Sequence, residues 1–191
     1  MKTIKYSVML MFLAGTVYSQ VPSRIDEATY QAEKARLDKI TSAVYAGGIK
    51  NMTQAKAIQY MNCAWRFFEM GCAGHDESLA YSAIRFYNGA EHCRRVCSNT
   101  RNSGNGVNYE DYRQMYVSFG RVAGIREIIN KTSRGRAKNV IWNGNFYGKL
   151  ASNYFYDMQK GHRFNNVSRE QLWKWFAEGH QEVIGEWNAL N

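Results

Sequence analysis

The sequence predicts an all-α protein, a single compact helical domain of about six helices that follows a cleavable signal peptide. Two observations favour this class. Apolar residues recur at steps of three and four along most of the chain, and polar residues able to cap a helix precede several of these stretches. The 191 residues include only one proline, Pro22, which argues against a turn-rich β-sandwich.

Residues 1–19 have the features of a secretory signal peptide. Two lysines lie among the first five residues, and the uncharged apolar run after them is too short to span a bilayer as an ordinary helix. Val17 and Ser19 occupy the third and first positions before a peptidase cut at Gln20. We therefore expect an exported domain of residues 20–191, periplasmic or extracellular, with no transmembrane segment in the mature chain. An uncleaved anchor is the alternative.

The first two predicted helices are bounded by polar and glycine residues. The first begins after Ser23, with Asp26 as its capping partner, and ends at the glycine pair 47–48. The second follows Asn51 and ends near Gly71. Both carry an apolar stripe with helical spacing, which predicts that each buries one face.

The third predicted helix, residues 75–97, has the most regular apolar pattern in the chain. The segment after it, 98–107, is poor in apolar residues and contains two glycines, which predicts an exposed loop. The residues on the stripe, all expected to face the core, are Leu79, Ala83, Phe86, Ala90, Cys93 and Cys97.

Three more helices are predicted in the second half of the chain. Asn108 caps a fourth helix, which gives way to a polar turn at 131–136. A fifth helix is expected over 137–160, although two glycines near its start oppose helix formation there. Ser168 and Gln171 form a capping pair that opens the last helix.

The four cysteines lie within 35 residues of one another in a chain predicted to be exported. Two intrachain disulfides are therefore expected, with three possible pairings. A structural zinc site is the alternative, but the spacings C-x8-C and C-x3-C lack the paired C-x-x-C elements of such sites. The cysteines are Cys63, Cys72, Cys93 and Cys97.

Residues 72–76 read Cys-Ala-Gly-His-Asp, at a predicted turn that leads into the third helix. This C-x-x-H-D pattern resembles an element of secreted calcium-dependent phospholipases. The resemblance implies that His75 is a general base for water and that Asp76 helps to bind calcium. The glycine-rich calcium loop of that family is missing, since residues 62–70 predict a helix. The alternative is that Asp76 only caps the third helix, beside a surface histidine.

A basic segment contains no carboxylate between Glu127 and Asp157, and aromatic residues are interleaved with its cations. Aromatic rings can stack on bases or sugars, and cations can meet phosphates, so this segment is a candidate anion-binding site. The alternative is that the rings belong to the core and the charges to a solvated turn. The candidate anion-binding residues are Lys131, Arg134, Arg136, Lys138 and Lys149.

His180 fills a gap in the apolar stripe of the last helix and has three glutamates nearby. This position favours a packed, hydrogen-bonded histidine over a metal ligand. Glu69, Glu91 and His92 are a further possible acid–base group, but spacing alone does not bring them together. We predict no metal and no cofactor.

The absence of a strong catalytic motif and the net charge of +9 favour a non-catalytic interaction protein that binds a protein or an anionic partner. One alternative is a hydrolase of phospholipids or other envelope substrates that uses His75 and Asp76. Another is a binder of nucleic acid, an anionic polymer or lipid headgroups through the basic segment.

Overall fold

The computed structural model describes residues 25–47, 53–102, 109–132 and 167–190, with side chains except at positions 54, 96–102 and 111. Within these ranges the protein is all-helical, as predicted. The signal peptide and the predicted fifth helix lie outside them. None of the described helices is long and apolar enough to cross a membrane. The helices are α1 (Glu27–Tyr45), α2 (Gln54–Cys72), α3 (Glu77–Asn102), α4 (Tyr109–Lys131) and α5 (Arg169–Leu190).

Polar side chains cap the first and last of these helices. Asp26 Oδ1 accepts a hydrogen bond from the backbone N–H of Thr29 at 2.9 Å, so α1 begins after Asp26 and later than the predicted start at Ser23. Ser168 Oγ accepts from the backbone N–H of Gln171 at 3.1 Å. The capping pair predicted for the last helix is therefore confirmed.

The third helix is longer than predicted. α3 continues to Asn102, through the first five residues of the segment 98–107 that the sequence predicts as an exposed loop. Those five residues are polar but include no glycine, and such residues lower helix stability by less than about 0.7 kcal/mol each. Adding residues to an existing helix requires no new nucleation, which explains the extension.

The main hydrophobic core lies between α2, α3, α4 and α5. It contains the predicted α3 stripe: Leu79, Ala83, Phe86 and Ala90 are fully buried, and Cys93 is 9% exposed. Burial of each large apolar side chain stabilises the fold by about 1.5–3 kcal/mol. The buried face of α3 is thus confirmed, except at Cys97, whose side chain is not among those described.

The first helix packs on a second, smaller apolar cluster. α1 contacts mainly α2, and the cluster between them is separate from the main core. Polar contacts around this cluster add to the attachment of α1. The buried residues of the cluster are Tyr30, Leu37, Cys63, Phe67 and Met70.

Glycines allow α4 and α5 to approach each other closely. A Cβ atom at Gly179 would overlap the carbonyl oxygen of Val117, and one at Gly120 would overlap the carbonyl oxygen of Phe176. The backbones of the two helices are therefore in direct contact at both positions. This crossing fixes the position of α5 on the rest of the bundle.

The expected pair of disulfides is not supported. No two of Cys63, Cys72 and Cys93 are joined, although any two-bridge pairing of four cysteines must join two of these three. Cys63 and Cys72 are nine residues apart on α2, which turns them about 180° around the helix axis. Cys93 lies 16 residues after Glu77, so it is about 24 Å along α3 from the turn beside Cys72.

Candidate functional site

The ring of His75 lies in the contact between α1 and the turn that joins α2 to α3. Its Nε2 atom is 2.8 Å from the carbonyl oxygen of Ile25, so this nitrogen carries a hydrogen and donates it. The ring stacks on Tyr30, with centroids 3.9 Å apart and an angle of 7° between the planes. His75 therefore holds the first turn of α1 against the bundle.

Tyr30 extends this contact to the start of α3. Its hydroxyl donates to Glu77 Oε1 at 2.7 Å and accepts from Ser78 Oγ at 3.1 Å. Burial raises the pKa of Tyr30 above its ordinary value, so the phenol stays neutral and remains a donor. One stacked and hydrogen-bonded group thus joins α1 to the α2–α3 turn.

Neither nitrogen of His75 is placed as that of a general base with open access to substrate. Nε2 is bonded to the backbone, and Nδ1 lies 3.7 Å from Glu27 Oε2. The side chain of His75 is only 15% exposed. His75 and Asp76 are the residue types that a catalytic pair requires, but the ring of His75 is fixed by its contacts with Ile25 and Tyr30.

Asp76 lies immediately before α3, where a capping residue is expected. Its carbonyl oxygen accepts from the backbone N–H of Leu79 at 3.1 Å. Gly74, with a φ of 110°, makes the turn that precedes it. Residues 62–70, which would have to supply a calcium loop, are helical and belong to α2. Asp76 therefore occupies the position of a capping residue, although none of the described side-chain hydrogen bonds reaches its carboxylate.

Lys131 is the described member of the basic set. Its Nζ atom lies 2.5 Å from Oε1 of Glu127, whose other oxygen is 2.8 Å from His180 Nε2. The bonds from Lys131 and then His180 lower the pKa of Glu127, which is therefore ionised at neutral pH and offsets the charge of Lys131. The other four members lie outside the described residues: Arg134, Arg136, Lys138 and Lys149.

His180 is packed and hydrogen-bonded, as the sequence predicts. Its ring lies beside Phe176 and its Nε2 atom bonds to Glu127. In the part of the chain that the structure describes, no group of three histidine, cysteine, aspartate or glutamate side chains is placed to bind a metal ion.

A cleft of about 230 Å³ lies between α2 and α5. Trp65 and Glu69 line it from α2, and Glu182 and Glu186 line it from α5. Within each pair the two residues are four positions apart, so both point from the same face of their helix. Among the described residues, the cleft therefore combines one aromatic ring with three carboxylates, on a chain whose net charge is +9.

Two arginines already contact carboxylates of this cleft. Arg66 Nη1 donates to Glu69 Oε2 at 2.8 Å, and Arg121 Nε donates to Glu182 Oε2 at 2.8 Å. The Arg121 guanidinium also lies over the ring of Trp65, 5.1 Å from its centroid. The walls of the cleft thus already bind two guanidinium groups of this same fold.

Two carboxylate groups in the cleft have oxygen atoms that accept no hydrogen bond from a described arginine. Glu186 makes no ion pair within the described residues, and the Arg66 bond leaves Oε1 of Glu69 without a hydrogen bond there. The Glu69 side chain is only 10% exposed. That oxygen is not among the fully buried polar atoms that lack a partner, so a donor from outside the chain can reach it through the cleft.

Sequence reasoning considered Glu69 only with Glu91 and His92, and treated Glu182 and Glu186 only as neighbours of His180. The local sequence does contain one signal that points to this cleft. Glutamates at positions i and i+4 repel each other and destabilise a helix by about 0.2–0.5 kcal/mol, so the pair Glu182 and Glu186 breaks a local rule. Their meeting with Trp65 depends on how α5 packs, which spacing does not encode.

Comparison with known proteins gives no further assignment. No protein-family model matches the chain, and neither a curated protein nor a solved structure matches it.

Proposed function

We propose that the chain is an exported, helical, non-catalytic interaction protein that binds a protein partner. The observation that carries this proposal is the position of His75, the candidate general base. Its Nε2 atom is bonded to the Ile25 carbonyl and its ring is stacked on Tyr30. A residue that holds two parts of the fold together has a sufficient structural reason to be present.

The hydrolase alternative requires three features at residues 72–76, namely an accessible base, a calcium site and an entry for substrate. His75 is mostly buried, and the preceding residues form a helix whose backbone carbonyl groups are engaged within it. Carbonyl oxygens of a calcium loop would have to point at the ion instead. These contacts support a structural role for the dyad.

The cleft between α2 and α5 supports the binding role. It offers an aromatic ring and carboxylates held on two rigid helices, which is the composition of a small recognition site. Its volume is below the range of about 300–1,000 Å³ typical of sites for drug-sized ligands. A single side chain of a partner protein suits this space better.

Export of the protein is part of the proposal and rests on residues 1–19. The expected mature chain begins at Gln20 and is recovered from the periplasm or the medium. The intact mass of protein isolated from its native host tests this step. A mass that retains residues 1–19 in a membrane fraction would contradict it and make the segment an anchor.

The decisive experiment compares catalysis and binding in the same preparation. Wild-type protein and His75→Ala are assayed for phospholipid hydrolysis with and without calcium, and the wild type is crosslinked in its native compartment. We expect no calcium-dependent hydrolysis, and one reproducible crosslinked partner identified by mass spectrometry. Calcium-dependent turnover that is lost in His75→Ala would refute the proposal in favour of the hydrolase.

The anionic-polymer alternative is supported by the net charge of +9 and by the carboxylate-free segment after Glu127. Lys131, one of its five cations, forms an exposed ion pair with Glu127, which partly offsets its charge. Three of the remaining four, Arg134, Arg136 and Lys138, form the test set for binding to heparin or nucleic acid.

A further inference from the structure

We infer that the cleft formed by Trp65, Glu69, Glu182 and Glu186 binds the guanidinium group of an arginine side chain presented by the partner protein. This inference rests on the proposed function, because it assigns the chemistry of the partner's contact. It goes beyond that function by naming the surface and the recognised group.

The first step is the presence of two accessible acceptors in the cleft. Glu69 has one oxygen bonded to Arg66 and the other without a hydrogen bond among the described residues, while its side chain is 90% buried. Glu186, across the cleft on α5, makes no ion pair within the same residues. Two acceptors on opposite walls match a cation that carries several N–H donors.

The second step concerns the shape of that cation. A guanidinium ion is planar, carries five donors and stacks on aromatic faces, whereas an ammonium ion is a strongly hydrated point charge. Trp65 lines the cleft, and Arg121 already lies over its ring at 5.1 Å while bonding to Glu182. The same ring and carboxylate type therefore bind a guanidinium within the fold.

The third step concerns the surroundings of the recognised arginine. The chain as a whole carries a charge of +9, so a strongly basic partner is repelled at long range. A partner with one arginine in a neutral or acidic surface avoids this repulsion, and its guanidinium group can still bind the carboxylates of the cleft. The partner predicted here is thus a protein that presents a single arginine among neutral and acidic residues.

The test uses a blocked pentapeptide, Ser-Glu-Arg-Glu-Ser, titrated calorimetrically into the full mature chain at low and moderate salt. Three matched probes accompany it: the same peptide with citrulline, which keeps the shape but not the charge, the same peptide with lysine, and N-acetyl-arginine amide. We expect the arginine peptide to bind about tenfold or more tightly than the citrulline peptide, and to weaken with salt. The lysine peptide and the amide are expected to bind less tightly than the arginine peptide.

The matched variants are Glu186→Gln and Glu170→Gln, which make the same change on the same helix. Glu170 lies in the first turn of α5 and does not line the cleft. Glu186→Gln should weaken the arginine peptide about tenfold, and Glu170→Gln should leave its affinity unchanged. Equal thermal melts for Glu186→Gln and the wild type confirm that the fold is intact.

Several results would overturn the inference. Equal affinity for the citrulline peptide would mean that charge is not recognised, and equal affinity for the lysine peptide would remove the guanidinium preference. An unchanged affinity in Glu186→Gln would place binding elsewhere. Amide binding as tight as peptide binding would indicate a small-molecule ligand. If the wild type crosslinks its partner but no probe binds at millimolar concentration, the interaction function stands and the cleft inference fails.

Discussion

A Cβ atom at Gly179 of α5 would overlap the carbonyl oxygen of Val117 on α4. This relationship makes residue 179, like Gly120 on α4, a point of direct backbone contact between the two helices. A side chain there can be accommodated only if the backbones separate, and protein interiors resist such shifts. Because α5 supplies two of the four described residues that line the cleft, the glycine also helps to set the geometry of the candidate site.

Gly179→Ala should destabilise the fold by about 1–3 kcal/mol or more, because the added methyl group overpacks the contact. Gly185→Ala is the matched control on the same helix, since nothing lies within 4 Å of a Cβ atom built there. That change should instead stabilise the helix by about 0.5–1 kcal/mol. Urea denaturation of both variants measures the difference, and equal stability of the two would contradict the proposed close contact.

His75→Ala should lower the free energy of unfolding by about 1–2 kcal/mol, since it removes a hydrogen bond to Ile25 and a stacked contact with Tyr30. Asp76→Ala should cost roughly 1 kcal/mol if Asp76 caps α3. Thermal and chemical melts of both variants give these values. A fully stable His75→Ala protein would remove the structural explanation for this residue.

The contribution of Glu33 should depend on pH. Its bond to Arg36, assisted by Arg66, lowers the pKa of Glu33 below 4.5, although partial burial opposes this. A carboxyl whose pKa is lower in the folded state stabilises fully above its unfolded pKa, and this is lost as the pH falls through the folded value. Glu33→Gln should therefore cost about 0.5–1 kcal/mol at pH 7 and progressively less below about pH 4.

The measurement for Glu33 is the difference in unfolding free energy between wild type and Glu33→Gln from pH 7 to pH 3. Using the difference cancels the titration of the other carboxylates. A constant difference across this range would show that the ion pairs with Arg36 and Arg66 contribute nothing measurable.

Cys63 should behave as a buried thiol. It is 5% exposed, and burial raises its pKa, which lowers the reactive thiolate fraction. An alkylating reagent should label it slowly in native protein and rapidly in denaturant, both without reductant. Peptide mass spectrometry locates the label. Labelling of Cys63 in denaturant only after reduction would restore the disulfide that the sequence predicts.

The basic segment remains a prediction from the sequence. The chain should bind heparin in a salt-sensitive manner, and the triple change of Arg134, Arg136 and Lys138 to serine should abolish this binding while the fold survives. Elution from a heparin column under a salt gradient measures it. Unchanged elution would mean that the positive charge acts over the whole surface.

Local patterns in the sequence were sufficient for the helical class, the Ser168 cap and the buried stripe of α3. These features depend on contacts within one turn or a few turns, where side-chain spacing and capping chemistry act directly. The predicted end of α3 was wrong. Polar composition suggests a loop, whereas a helix that has already formed extends through such residues at little cost in free energy.

The sequence by itself thus determined that this chain forms amphipathic helices, and which faces of them are buried. Tertiary packing decided what those helices bring together. His75 meets Ile25 across 50 residues, and Arg121 meets Glu182 across 61. Such contacts depend on the crossing of helix backbones, which glycines such as Gly179 set by permitting close approach. The spacing of apolar residues predicts which face of a helix is buried, but it does not predict which other helix packs against that face.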